Sequence, residues 1–219
     1  MGIGFLCSGL NKCSVKNGEG EIRDTKTNIL DMDKIIRFEL NSRMCNFFRK
    51  YNIDYRINPN VEIPKEILKY LKRGIVKRKD KYAKGCWTYK YNRQFALTYS
   101  IDDTIGNEAS NSEIFISAQN DDLSVSRTIK IALTYIYALS ELMRQYRNEF
   151  SIILSYEYIR CGTEPTYGFD IRFHQIRGND SYLVKNLEVY NKHNGILVLN
   201  ILNTPKFEAK TINSPHIST

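Results

Sequence analysis

His174, His193 and His216 are the only imidazoles in the 219 residues, a thin supply for general acid–base work. His174 lies in the alternating stretch IRFHQI, where a partly exposed or hydrogen-bonded structural role is expected. His193 lies in the turn NKHNG and His216 in an aperiodic tail, so no two are spaced to share a substrate or a metal. The carboxylate pairs Asp102–Asp103 and Asp121–Asp122 read as turn and cap residues. Asp170 with Glu188 lacks the lysine-bearing motif of a metal-dependent nuclease. GIG at 2 to 4 and GEG at 18 to 20 neither follow a strand nor open a helix, as a phosphate-cradling loop must. Cys7, Cys13, Cys45, Cys86 and Cys161 are scattered without a CxxC pair, which favours reduced thiols over a disulfide framework or a zinc site. Cys86 lies among lysines that would lower its pKa, but no base is identifiable beside it. Catalytic residues, a metal and a cofactor are therefore not expected.

Charge is where the chemistry concentrates. KEILKYLKRGIVKRKDKYAKGCWTYKYNR, residues 65 to 93, holds 11 of the 32 Lys and Arg but only Glu66 and Asp80 of the 24 acids. That is 11 − 2 = +9 in a chain of net +8, leaving about −1 for everything else. One segment owns the charge, and its partner should be an extended anion, either nucleic acid or the anionic face of a membrane. The expected anion-binding residues are Lys69, Lys72, Arg73, Lys77, Arg78, Lys79, Lys81, Lys84, Lys90 and Arg93. Tyr82, Trp87, Tyr89 and Tyr91 interleave with them and would offer flat faces for stacking single-stranded bases. No RNP, KH, zinc-finger or helix-turn-helix signature accompanies the pattern.

The membrane alternative brings in the first residues. Without Met1, Gly2 would head GIGFLCSG as an acceptor for myristoylation, with Cys7 and Cys13 nearby for palmitoylation; Leu6 stands where the motif has Ser or Thr. Unacylated, Ile3, Phe5 and Leu6 would still wedge into an interface. One acyl chain anchors only marginally, and a polybasic segment supplies the second signal. The start lacks the form of a secretory signal, and no run of about 18 apolar residues is present to span a bilayer.

These side chains need a scaffold. Residues 1 to 30 have no apolar period and read as an arm, and 203 to 219 as a tail, around one domain over 31 to 202. Ile36, Leu40, Met44, Phe47 and Tyr51 recur at helical spacing and predict a helix over 32 to 51, with Pro64 opening a second that Gly74 closes. These two helices would form a small helical lobe over 31 to 80. Trp87 to Tyr99 alternates as one long strand or two joined by a bulge, DDTIGNEASNS reads as a loop and EIFISA as a short strand. The stripe Ile129, Ala132, Leu133, Ile136, Leu139, Met143 predicts a helix over 126 to 147. FSIILSYEYIRC, GFDIRFHQI, SYLVKNLEVY and GILVLNIL follow as strands, the last two joined by a hairpin at NKHNG. The fold class is α+β, a mainly antiparallel sheet packed on one long helix with a helical N-terminal part.

The basic charge, the membrane-facing start and the strand, helix, strand order over about residues 113 to 161 together resemble the matrix proteins of enveloped negative-strand RNA viruses. The resemblance implies a non-enzymatic viral adaptor that self-associates at the cytoplasmic, inner face of a membrane and binds RNA or nucleoprotein. The residues alone leave open a peripheral membrane protein, a single-stranded nucleic-acid binder, and an interaction module for a toxin or host factor.

Overall fold

The computed structural model describes residues 34–79, 85–92, 96, 98–100, 103–161, 164–178 and 186–204. Strands of 13 residues each, β5 (Glu149–Cys161) and β6 (Glu164–Ile176), pair antiparallel along their whole length and form the spine of the fold. Around them the sheet runs β1-β7-β5-β6-β4, with β1 (Lys34–Leu40), β4 (Ile114–Ala118) and β7 (Gly195–Asn203), and every pairing is antiparallel. Alternate residues Phe150, Ile152, Leu154 on β5 and Phe169, Ile171, Phe173 on β6 are buried in one cluster with Ile129, Leu133, Ile136 and Leu139 of α4 (Asp122–Arg144). The intervening residues Ile153, Ile196 and Val198 form a second cluster on which Leu187 packs. The fold is α+β with a mainly antiparallel sheet, and α4, at 23 residues, is the longest helix among the described residues. Asp121 caps α4 by accepting from Ser124 N, so the helix starts and stops a few residues earlier than the apolar stripe indicates.

Several sequence expectations need correction. Residues 32 to 51 are not one helix, and no separate helical lobe begins the fold: β1 pairs with β7 as an edge of the main sheet, and α1 (Ser42–Lys50) follows. A spacing of four satisfies both periods, so Ile36 and Leu40 fit a helix as well as a strand whose even residues, Phe38 included, face the core. Asn41 makes the switch. Fully buried, it caps α1 by accepting from Met44 N and also accepts from Ile196 N, and its Nδ2 donates to Asn194 O.

The strand from Trp87 stops after three residues, as β3 (Trp87–Tyr89). Ala96 N, Thr98 N and Tyr99 N then donate to the side chains of Asn111 and Asn107 instead of a sheet partner. Those asparagines belong to α3 (Thr104–Asn111), where a loop was expected. α3 lacks an apolar stripe because its buried side chains are hydrogen-bond hubs, a stabilisation that periodicity does not register.

Finally, Leu187–Tyr190 is a turn of 3-10 helix, and NKHNG leads from it into β7 without making a hairpin. β7 already has β1 on one side and β5 on the other, so SYLVKNLEVY has no free strand edge there. Residues 181 to 185 of that stretch, the arm over 1 to 30 and the tail from 205 lie outside the described residues.

Candidate cationic surface

The segment richest in Lys and Arg builds a helix and a hairpin. In α2 (Lys65–Arg73), Ile67, Tyr70 and Leu71 pack on the core, which leaves Lys65, Lys69, Lys72 and Arg73 as a stripe at helical spacing on the other side. Gly74 ends the helix at φ 75, a left-handed conformation that suits glycine, and turns the chain into β2 (Ile75–Lys77). β2 pairs with β3 in a two-stranded sheet.

The aromatic residues of the hairpin face inward. Trp87 is 5% exposed, donates through Nε1 to Gln175 Oε1 at 3.0 Å, and meets Tyr146 and Phe150 edge to face. Tyr89 is fully buried against Phe173, its hydroxyl 3.0 Å from that of Tyr135, and burial pushes both phenols well above their ordinary pKa. The expectation that Trp87 and Tyr89 offer stacking faces is therefore corrected: alternation on this strand marks its core face. Tyr91 is half-buried, with Lys69 Nζ 4.7 Å and the Arg73 guanidinium 4.8 Å from its ring centre, so cations cover the ring.

Glu108, with no exposed side-chain surface, bolts the hairpin to the sheet. It accepts from Trp87 N at 2.7 Å and Gln175 N at 2.9 Å and pairs with Arg177, which also donates to Gly85 O. A buried carboxylate so fully partnered holds the hairpin against the sheet.

Lys65, Lys72, Arg73, Lys77, Lys79 and Lys90 are exposed. Among the described residues, none of the six has an acid within ion-pair distance. Arg78 is half-buried and donates to Asn92 O. Lys81, Lys84, Arg93 and Tyr82 lie outside the described residues, as do Gly2, Phe5, Leu6 and Cys7.

A second region was not foreseen. Between α1 and the β5–β6 end of the sheet lies a groove of about 600 Å³ lined by Arg43, Phe47, Lys50, Tyr156, Tyr158 and Tyr167, with Asn46, Asn120 and Asn191 around them. Tyr156 sits 4.1 Å from Phe47 by ring centres, and Tyr158 meets Tyr167 edge to face at 5.1 Å. Gly195 stands opposite Tyr156 in the register, and any Cβ there would collide with the ring. The alternation of Tyr156 and Tyr158 in SYEYIR was the available signal, but its partners are far away in sequence.

His174 is buried, and burial pulls its pKa down to about 4, so it stays neutral in the fold. Among the described residues, no group of His, Cys, Asp and Glu is arranged to hold a metal ion, and no helix is long and apolar enough to cross a membrane. Compared with known proteins, the chain matches no family model, no curated protein and no solved structure.

Proposed function

We propose that this protein is a non-enzymatic, matrix-like adaptor that docks on the anionic face of a membrane through α2 and the β2–β3 hairpin. One observation carries the reading: Lys65, Lys72, Arg73, Lys77, Lys79 and Lys90 are all exposed while Trp87 and Tyr89 behind them are buried. Among the described residues, such a surface offers charge without open aromatic faces. It is suited to a plane of phosphates and poorly suited to splayed bases. At about 1 kcal/mol per cation near an anionic bilayer, six would supply about 6 kcal/mol. That is useful peripheral binding, and an apolar or acylated start of the chain would make it durable. The rigid attachment of the hairpin through Glu108 and Arg177 supports the same reading, since the charges are held in place before binding.

The test is sedimentation with phosphatidylserine-containing and pure phosphatidylcholine vesicles beside a labelled oligonucleotide, across a salt series. The protein should bind the anionic vesicles selectively, and Lys72→Glu with Lys77→Glu and Lys79→Glu should abolish that binding without unfolding the chain. Equal binding to neutral vesicles, or unchanged binding by the triple variant, would overturn the reading. Oligonucleotide binding tighter than binding to any vesicle, and lost in the triple variant, would move the surface to nucleic acid.

A further inference from the structure

The groove between α1 and β5–β6 is made of parts that the cationic surface lacks, and what they can hold follows from their unused hydrogen-bonding groups. The Nε of Arg43 is buried with no hydrogen-bond partner among the described residues, and its Nη1 has only a long 3.4 Å bond to Lys192 O. Asn191 spends its oxygen on Arg43 N at 2.6 Å, which leaves its amide nitrogen as a donor. Lys50 is committed to Asp122 and Tyr51, whereas Arg43, which lies against Tyr156, is a groove cation with no acidic partner among the described residues. This end of the groove is rich in donors and short of acceptors, which suits a phosphate or a comparable oxyanion.

The other end is aromatic. Tyr158 is 39% exposed and has Tyr167 against it, while the amide of Asn120, with no hydrogen bond among the described residues, offers both a donor and an acceptor. A flat ring carrying its own donors and acceptors fits there. A groove of about 600 Å³ is within the usual size for a small ligand. Among the described residues, no carboxylate lines it.

We propose that this groove binds one nucleotide unit, its base against Tyr158 and Tyr167 and its phosphate at Arg43. A free nucleotide and a nucleotide within a single strand share this chemistry. The site is separate from the cationic surface and does not depend on it.

The experiment titrates the full chain with AMP by calorimetry and with a short fluorescein-labelled oligothymidylate by anisotropy. Both are done at about 0.3 M NaCl, where contacts made by charge alone are largely screened. Tyr158→Ala should weaken whichever probe binds by about tenfold, the scale of one lost stacking contact. Arg43→Gln should weaken it as well, with Arg43→Lys recovering part of the loss. Lys72→Glu with Lys77→Glu should leave groove binding in place. Binding of both probes supports a site for free nucleotide, and binding of the oligonucleotide alone supports a site for a strand. Failure of both probes to bind overturns the proposal, as does full affinity in the exposed-site variant Tyr158→Ala.

Discussion

The cationic surface and the groove are built from the same two residue types turned in opposite directions. On α2 and the β2–β3 hairpin the rings of Tyr89 and Trp87 go into the core and the lysines remain outside. Along α1, β5 and β6, Tyr156, Tyr158 and Tyr167 line an open groove, while Lys50 is tied to Asp122. The difference arises from neighbours. β3 has α4 and the long strands over its rings, with Tyr135 and Phe173 touching Tyr89. The Tyr158 and Tyr167 pair lies near the Cys161–Glu164 end of the paired strands, where the chain passes from β5 to β6, and Tyr158 keeps a solvent-facing ring there. A mixture of tyrosine and lysine in sequence therefore names no mode of recognition until burial assigns each ring to the core or to a ligand.

The largest expected effect separates these roles directly. Trp87→Ala removes a ring that meets Tyr146 and Phe150 edge to face and donates to Gln175, and should cost about 3–5 kcal/mol of stability. Urea unfolding measures it, and vesicle binding of the folded variant should be unchanged. A variant of near-normal stability that had lost anion binding would return Trp87 to the surface and break the contrast.

Acid pH should move the body of the protein and leave the charge of its surfaces, since lysines and arginines stay cationic there. His174 and Asp170 titrate in opposite senses on β6. Burial first, with Arg177 adding to it against a hydrogen bond to Gln175 O, holds the His174 pKa down from 6.5 to about 4. Its neutral form thus contributes stability above pH 6.5 that is lost as pH falls toward 4. Burial also lifts Asp170 from 3.8 to about 6, against the attraction of Arg172 and with help from Glu113 and Glu157. A raised carboxyl pKa acts the other way: its stabilisation is complete below 3.8 and lost as pH rises through 6. Each shift is worth about 3 kcal/mol, so the two nearly offset between pH 6.5 and 4. Asp170→Asn removes the offset and leaves the His174 effect alone, so its stability relative to the native chain should fall by about 3 kcal/mol between neutral pH and pH 4. Denaturation midpoints at several pH values check this, and a difference independent of pH would refute it.

The sequence made α4 legible because Ile129, Leu133, Ile136, Leu139 and Met143 need only one period and one buried face. It left β1 ambiguous because the spacing of Ile36 and Leu40 serves two periods, and the switch rests on Asn41 meeting β7 more than 150 residues later. α3 was hidden for a different reason: its stability comes from asparagine and glutamate contacts with distant backbone. The lysines of the cationic surface could be picked out by charge alone, since solvent exposure is what a local excess of one sign imposes. Which rings joined them could not, because Tyr89 is judged by Tyr135 and Phe173. Nor could the groove, which brings Arg43 of α1 to Tyr158 and Tyr167 only after β5 and β6 have paired.

A smaller effect sharpens the contrast on the side of binding. Lys72→Gln with Lys77→Gln removes two exposed cations, and at about 1 kcal/mol each should weaken binding to anionic vesicles about thirtyfold at low salt. The same variant should bind AMP as the native chain does. Equal losses at both would mean that the two regions form one site.

The smallest expected effect compares a single oxygen in the two settings. Tyr89→Phe deletes the partner of the Tyr135 hydroxyl, which is 3.0 Å away and itself buried. A buried hydroxyl left unpaired costs about 1 kcal/mol or somewhat more, because neither water nor another group replaces the lost bond. Tyr158→Phe deletes an oxygen from a ring that is 39% exposed, and solvent satisfies whatever the change leaves behind, so stability should stay within about 0.5 kcal/mol. The ring face survives in both variants. If stacking on Tyr158 carries the groove, Tyr158→Phe should therefore retain nucleotide binding that Tyr158→Ala loses. Parallel urea titrations and AMP calorimetry on the two Phe variants decide the matter: equal stability losses would mean that the burial contrast between the two tyrosines is wrong.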